Sequence, residues 1–328
     1  MAERGASVLV KQDAQQVDET EARRPASRAA RSDLWRTLRR AKLGMVGIVI
    51  VLLIALAAVA APVVAPHDPI RGDLSVSRVC PAFTTCPNLG GSFARTTASV
   101  GTLTYPLGTD SNGRDVFSRI LYAAQISLVV GVTAVVIGGT VGVVAGLVSG
   151  YYGGWIDSVI MRIADVQLAF PFILLAIAIV AVLGGGLFNV VLVLGIGSWV
   201  PYARIVRGQV FSAKTQEYVL AARTIGAQDA AVLFRHILPN VLTPAIIIAT
   251  FGVAAAIIGE ATLSFLGVGI QPPTPTWGNM LADGRAYVGS AWWLATFPGV
   301  AIMLTVLSIN VIGDWLRDYL DPRLRNVD

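Results

Sequence analysis

The segment Glu217 to Asn240 has the residue types and spacing of a contact surface for another protein. It is polar and lies between two long apolar stretches, and we predict a short helix over 217–229. Ala221, Ala222, Ile225 and Gly226 would lie close together on that helix and form a face of small residues. Because glycine has no Cβ, a partner can approach such a face closely. The chemistry indicated is tight protein–protein packing, with an ordinary loop containing one helical turn as the alternative.

A second polar segment, Tyr105 to Arg119, reads YPLGTDSNGRDVFSR. Asp110 suits a turn or a helix start, and Gly113 suits a tight bend. Arg114 and Asp115 have the character of a local ion pair and a helix cap, and a substrate contact is the alternative. The motif residues are Gly108, Asp110, Gly113, Arg114 and Asp115.

Membrane helices must position these segments, because the composition is that of a multi-span membrane protein. The 328 residues are 55% hydrophobic and 14% charged, whereas a soluble domain carries roughly 25% charged residues. A helix needs about 20 apolar residues to cross the hydrocarbon core. We predict an all-α integral membrane protein with six transmembrane helices, since one of five apolar stretches is long enough for two helices and breaks at Gly184-Gly185-Gly186. The stretches are 43–65, 126–150, 166–203, 241–259 and 286–313.

Basic residues set the predicted orientation. With the N-terminus inside, 19 of the 25 Lys and Arg residues lie on the inner side, in agreement with the positive-inside rule. Both termini and the loop 205–240 are then cytoplasmic, and 66–123 is extracytoplasmic. Residues 1–42 form a cytoplasmic tail that ends in a short amphipathic helix over Asp33–Lys42, and 315–328 form a second tail. Because the basic residues flank membrane spans, nucleic-acid binding is not indicated. The first apolar run is also too long for a signal-peptide core.

An acidic residue, Glu260, lies at the end of the fifth predicted helix, and the proline-rich segment Gln271 to Gly278 follows it. Three prolines rule out a regular helix there, and non-helical backbone at membrane depth must be buried in protein or face water. We predict Glu260 and Trp277 near the outer mouth of a pore. A structural hydrogen bond or ion pair of Glu260 at a helix end is an equal alternative.

The second predicted helix carries four glycines at intervals of four residues. Residues at this spacing form one stripe along a helix, and small residues let membrane helices pack closely. We predict close packing against a neighbouring helix, with a flexible hinge as the alternative. The stripe consists of Gly138, Gly142, Gly146 and Gly150.

Cys80 and Cys86 are the only two cysteines of the chain, and both fall in the predicted extracytoplasmic segment. Thiols can oxidise on that side of the membrane, so we predict a disulfide between them, with two free thiols as the alternative. The two histidines, His67 and His236, lie on opposite sides of the membrane in this topology. No metal site is therefore predicted.

Three parts of the sequence together resemble a known family. The 217–240 segment resembles the cytoplasmic coupling loop of bacterial ABC importer permeases. The 105–119 segment and the stretch after the fifth helix are similar to elements of the dipeptide and oligopeptide permease subfamily. The resemblance runs from Asp33 to the C-terminus, with 72–104 as an unmatched insertion. In the coupling loop, Ala221, Ala222, Gly226, Leu238 and Pro239 are in register, whereas Leu220 and His236 depart from the pattern.

The resemblance implies the second permease subunit of an ABC importer of the peptide, opine or nickel type, in a bacterial cell membrane. It implies the type I importer transmembrane fold, with a first helix (43–65) and a permease core (124–314). The implied partners are a homologous permease, two cytoplasmic ATPases and an extracytoplasmic substrate-binding protein. The ATPase contact would be made by Glu217, Ala221, Ala222, Gly226, Ala227, Asp229, Leu238 and Pro239.

No enzymatic activity is expected of the chain itself. No Gly is followed by Lys in the sequence, so the chain lacks a Walker phosphate-binding loop, and ATP and Mg would bind to the partner ATPases. Peptides are the first expected solute, with nickel complexes or oligosaccharides as alternatives. An ion-driven secondary transporter is disfavoured, because that class usually has charged or unwound sites at mid-membrane, and the spans here contain almost none. A non-transporting scaffold is the remaining alternative.

Overall fold

A computed structural model describes residues 42–84 and 101–320, whose regular secondary structure is helical, without a β-strand. Short helical turns lie at Leu74–Val76, Asp229–Ala231 and Arg285–Tyr287, and a π-helix lies at Val232–Ile237. Within the described residues the α-helices are α1 (Lys42–Val64), α2 (Val116–Tyr152), α3 (Gly154–Leu168), α4 (Phe172–Leu183), α5 (Leu187–Gly197), α6 (Trp199–Ala213), α7 (Glu217–Thr224), α8 (Leu238–Phe265), α9 (Trp277–Gly284) and α10 (Trp293–Leu320).

Five helical segments are long and apolar enough to cross a membrane, and a sixth crossing requires α3 and α4 to act as one broken span. The five are α1, α2, α5 with α6, the continuous path 229–265, and α10. Helices α3 and α4 meet at 88°, so the third of the six predicted transmembrane helices corresponds to this bent pair and not to one straight helix. Helix α4 has 12 residues, about 18 Å, and cannot cross a hydrocarbon core of about 30 Å alone.

The predicted break at the three glycines is present, because α4 ends at Leu183 and α5 begins at Leu187. Gly184 and Gly186 have φ angles of +87° and +147°, which side chains with a Cβ rarely adopt. The chain can therefore reverse direction here within three residues.

Helix α2, with 37 residues, is the central element of the fold. It packs against α6 along its second half and also contacts α1, α5 and α8. Apolar clusters lie at both of its ends. One contains Trp277 and Trp293 near the extracytoplasmic segment, and the other contains Tyr151 and Val219 next to α7. Helix α2 thus connects the two polar segments that the sequence singles out.

Candidate functional site

Helix α7 is attached to the rest of the chain by one face only. Val219 and Ala222 are its buried residues, and Val219 packs in an apolar cluster with Val210 of α6. Ala221 lies on the exposed side, and the Ile225 side chain beyond the helix end is 86% exposed. The helix therefore presents small and apolar residues that nothing in the described part of the chain covers.

Gly226 ends α7 and does not lie on its face, which corrects the predicted small-residue face. The helix stops at Thr224, and the Gly226 and Ala227 N–H groups donate to the carbonyls of Arg223 (3.0 Å) and Ala222 (3.1 Å). Gly226 has φ +84°, the left-handed conformation in which glycine terminates many helices. A Cβ here would meet no atom within 4 Å, so backbone conformation and not crowding within this chain requires the glycine.

Pro239 lies in the first turn of α8, as the sequence predicts, but no loop precedes that helix. The helical path starts at Asp229 and passes through the π-helix Val232–Ile237, in which the Leu238 N–H donates to the Leu233 carbonyl. Proline has no N–H and its ring crowds the carbonyl four residues earlier. The π-helix, in which hydrogen bonds join residues five positions apart, ends two residues before this proline.

Three contacts connect the α7 region, residues 214–229, to the end of α2, and sequence reasoning missed all of them. The Lys214 ammonium donates to the Gly150 carbonyl at 3.1 Å. The Tyr151 hydroxyl donates to the Asp229 carboxylate at 2.5 Å, and the Arg223 guanidinium lies 5.0 Å from the centre of the Tyr151 ring. No motif marks Tyr151, because its partners are 72 and 78 residues away in sequence.

The four glycines of the stripe are buried on α2; Gly138 faces the end of α5, and the other three face α6. A Cβ at Gly138 would lie 2.5 Å from the Gly195 carbonyl oxygen, and one at Gly146 would lie 2.6 Å from the Ala203 carbonyl oxygen. Cβ atoms at Gly142 and Gly150 would likewise collide with backbone or Cβ atoms of α6. The backbone of α2 therefore approaches α5 at Gly138 and α6 at the other three glycines at a distance that leaves no room for a side chain.

Asp110 is the centre of a buried ionic cluster in the extracytoplasmic segment. Its carboxylate accepts a hydrogen bond from the Arg114 Nε at 2.7 Å and a further one from Arg119. Asp283 in α9 lies 3.4 Å from Arg114 and 3.5 Å from Arg119. The side chains of Asp110, Arg114 and Arg119 are at most 10% exposed. The structure therefore gives Arg114 a local ion pair, the first of its two sequence interpretations.

Asp115 caps α2. Its Oδ2 accepts from the Ser118 N–H at 2.9 Å and from the Ser118 hydroxyl at 2.6 Å, which satisfies donors at the helix start. Gly108 and Gly113 have φ angles of +80° and +73°. A Cβ at Gly113 would collide with the Asp73 carbonyl. The residues of this motif fold the segment against the outer end of α2, and all five of them are buried.

Glu260 and Trp277 lie inside the fold and not at an open pore mouth. Glu260 is fully buried. It accepts hydrogen bonds from Ser264 at 2.7 Å and from Ser127 of α2 at 3.5 Å. Trp277 is 1% exposed, and its indole N–H donates to the Ile120 carbonyl at 3.2 Å. Glu260 therefore has the structural hydrogen bonds that were the alternative to a pore-mouth position, and Trp277 connects α9 to α2.

Two predictions concern residues outside the described ranges. The amphipathic helix over Asp33–Lys42 lies outside them except for Lys42, which begins α1. Cys80 is buried, but its predicted disulfide partner, Cys86, lies outside the described residues. The disulfide and the amphipathic helix therefore stay predictions.

Comparison with protein families identifies the kind of protein to which this arrangement belongs. The family described as "Binding-protein-dependent transport system inner membrane component" matches residues 142–326. The chain belongs to this family. A second profile, the N-terminal transmembrane domain of oligopeptide transport permease C, matches residues 31–79. The chain is therefore a multi-pass inner-membrane permease subunit of a bacterial ABC importer, as the sequence resemblance implies.

Curated relatives and a solved structure agree with this assignment. The glutathione transport system permease protein GsiD of Escherichia coli is 52% identical over 218 residues, which is 66% of this chain and 72% of the relative. The dipeptide transport system permease protein DppC of Alkalihalophilus pseudofirmus is 49% identical over 67% of this chain and 72% of the relative. An inward-facing structure of the MetNI methionine ABC transporter has a TM-score of 0.51 at 18% identity. The match covers 62% of this chain and 97% of the MetNI chain. This structural similarity shows the type I importer fold.

Proposed function

We propose that this chain forms half of a peptide-translocation path together with a homologous second permease, and that partner ATPases contact it through α7. The observation that carries the proposal is the exposed surface of α7 and its C-terminal end. Leu220 is 50% exposed and Ile225 is 86% exposed in a segment whose predicted surroundings are cytoplasm, where apolar side chains gain by burial against a partner. ATP and Mg would bind to those ATPases, and a binding protein would deliver the solute.

Peptides are the proposed solute because the relatives named above transport glutathione and dipeptides. Both solutes are short peptides with a free carboxylate. Nickel complexes and oligosaccharides are the competing solute classes. The preference for peptides over these classes rests on the 52% and 49% sequence identity with the two relatives and not on any pore-lining residue.

The proposed mechanism is alternating access. Closure of the ATPase dimer on ATP would move α7, and the motion would pass into the path 229–265 and into α2, which α7 and its flanks contact. The two permeases would then open toward the binding protein, and hydrolysis would return them to the inward-facing state. A switch of this kind needs an element with two packed arrangements that ATP binding biases.

The solute is tested by comparing the uptake of labelled dipeptide, glutathione, nickel and oligosaccharide in cells with and without the chain. An Ala221→Trp variant tests the proposed contact between α7 and the ATPases. Ala221 has helical backbone and an exposed side chain in this chain, so tryptophan there obstructs a partner without straining α7. Gly226→Trp is a poorer test, because its φ of +84° strains any side chain. Thr215→Trp, at an exposed position before α7, is the matched control.

We expect uptake of the peptides alone to depend on the chain. We also expect Ala221→Trp to abolish that uptake and to release the ATPases during purification. Thr215→Trp should keep the uptake and the bound ATPases. Peptide uptake by an assembled Ala221→Trp complex would show that α7 is not the ATPase contact. Chain-dependent uptake of nickel or oligosaccharide without peptide would overturn the proposed solute.

A further inference from the structure

Both ends of the α7 region are attached to two consecutive residues of α2. At one end, Lys214 caps α6 and its ammonium donates to the Gly150 carbonyl. At the other end, Asp229 begins the path into α8 and accepts a hydrogen bond from the Tyr151 hydroxyl. The region between Lys214 and Asp229 is therefore closed into a loop on the last turn of α2.

Tyr151 also contacts α7 itself. The Arg223 guanidinium, in the last turn of α7, lies 5.0 Å from the centre of the Tyr151 ring, a cation–π distance. Tyr151 is 7% exposed and belongs to the same apolar cluster as Val219 of α7. One side chain thus contacts α7 through its ring and the start of the 229–265 path through its hydroxyl.

We propose that Tyr151 is a positioning residue for energy coupling, which transmits displacement of α7 to α2 through its hydrogen bond with Asp229. The inference rests on the proposed contact between α7 and the ATPases. Helix α2 suits this role because Gly142, Gly146 and Gly150 of its stripe lie directly against α6. A force applied at Tyr151 is therefore applied to a closely packed helix pair and not to one mobile helix.

The hydrogen bond can be removed with the ring left in place. Tyr151→Phe deletes the hydroxyl and keeps the ring under Arg223, and Asp229→Ala deletes the acceptor. Asp229→Asn keeps an acceptor oxygen, so its transport per ATP hydrolysed should fall less than that of Asp229→Ala. Tyr152→Phe is the matched control, because Tyr152 is the next residue of α2 and its side chain is 53% exposed.

The informative measurement is the amount of solute transported per ATP hydrolysed by the complete complex in liposomes. A side chain that only stabilises the fold lowers complex yield and lowers transport and hydrolysis together, and so leaves this ratio unchanged. We expect Tyr151→Phe and Asp229→Ala each to lower the ratio about fivefold, the factor that corresponds to loss of a hydrogen bond worth about 1 kcal/mol. The double variant should be no worse than either single variant, since both delete the same bond.

Several results would overturn the inference. One is an unchanged amount of solute transported per ATP in Tyr151→Phe. Another is a double variant in which the losses of the two single variants multiply. A third is an Asp229→Asn variant whose transport per ATP falls as far as that of Asp229→Ala. If Tyr151→Phe fails to assemble, the comparison of Asp229→Asn with Asp229→Ala still tests whether the hydrogen bond is needed for coupling. Failure of the proposed function has a different signature. In that case an assembled Ala221→Trp complex transports normally, whereas failure of this inference alone leaves Ala221→Trp blocked and Tyr151→Phe normal.

Discussion

Replacement of Gly146 by alanine tests whether the glycine stripe is a packing surface. A Cβ at this position would lie 2.6 Å from the Ala203 carbonyl oxygen and 2.8 Å from the Val206 Cβ, whereas ordinary contacts begin at 3.4 Å. From the oxygen distance, α2 and α6 must separate locally by about 0.8 Å, enough to lose a quarter to a half of each nearby dispersion contact. Overpacking of this kind costs about 1–3 kcal/mol.

Gly139→Ala is the matched control, seven residues before Gly146 on the same helix. A Cβ there would lie 3.7 Å from its nearest neighbour, the Tyr202 ring, which is an ordinary contact. Both changes gain the same helix propensity, up to about 1 kcal/mol. The difference in stability between the two alanine variants therefore isolates the contact with α6, and we expect Gly146→Ala to be the less stable by about 1–3 kcal/mol.

The assay compares the denaturant concentration at which each purified complex dissociates, together with its transport rate in liposomes. Gly146→Leu should prevent assembly, while Val144→Leu, at a side chain that is 53% exposed, should be tolerated. Equal stability of Gly139→Ala and Gly146→Ala would refute the packing account. Lost transport with normal assembly in both alanine variants would favour the hinge, because alanine stiffens a helix wherever it replaces glycine.

Two further predictions concern the topology and the extracytoplasmic segment. A membrane-impermeant thiol reagent applied to intact cells should label Thr104→Cys and not Ser212→Cys, relative to the parent chain; labelling of Ser212→Cys would reverse the orientation derived from the positive-inside rule. Asp110→Asn should lower complex yield strongly, because loss of one partner from a buried ionic cluster costs about 3–5 kcal/mol. The exposed Asp68→Asn should change stability by no more than about 0.5 kcal/mol, and equal yields of these two variants would contradict a structural role for the cluster.

The sequence predicts those features that depend on local spacing. The glycine stripe, the break after α4 and the position of Pro239 each follow from residues a few positions apart, which one helix or one turn brings together. The sharp bend between α3 and α4 was missed because hydropathy measures how apolar a stretch is and contains nothing about its direction. The place of Gly226 was also predicted wrongly. Small residues at helical spacing are compatible both with a helix face and with a helix end, and the φ angle distinguishes them.

Contacts between distant residues were outside the reach of sequence reasoning. Arg114 reaches Asp283 across 169 positions, and Tyr151 reaches Asp229 across 78. The motif around Asp110 predicts an ion pair but not that α9 takes part in it. Likewise, the polar character of Glu260 predicts a functional or structural role, and only its burial beside Ser127 and Ser264 favours the structural one.

Helix α2 provides a continuous mechanical connection across the protein. Its 37 residues extend about 55 Å, which exceeds a hydrocarbon core of about 30 Å. At its outer end Asp115 caps the helix beside the Asp110 cluster, and at its inner end Tyr151 contacts the α7 region. Because Gly142, Gly146 and Gly150 pack closely on α6 between these ends, a displacement at Tyr151 would move two helices together. The proposed coupling from the ATPase side to the solute side then requires the α2–α6 pair to have two packed positions, so the Tyr151 variants and the Gly146 variants test two consecutive parts of one path.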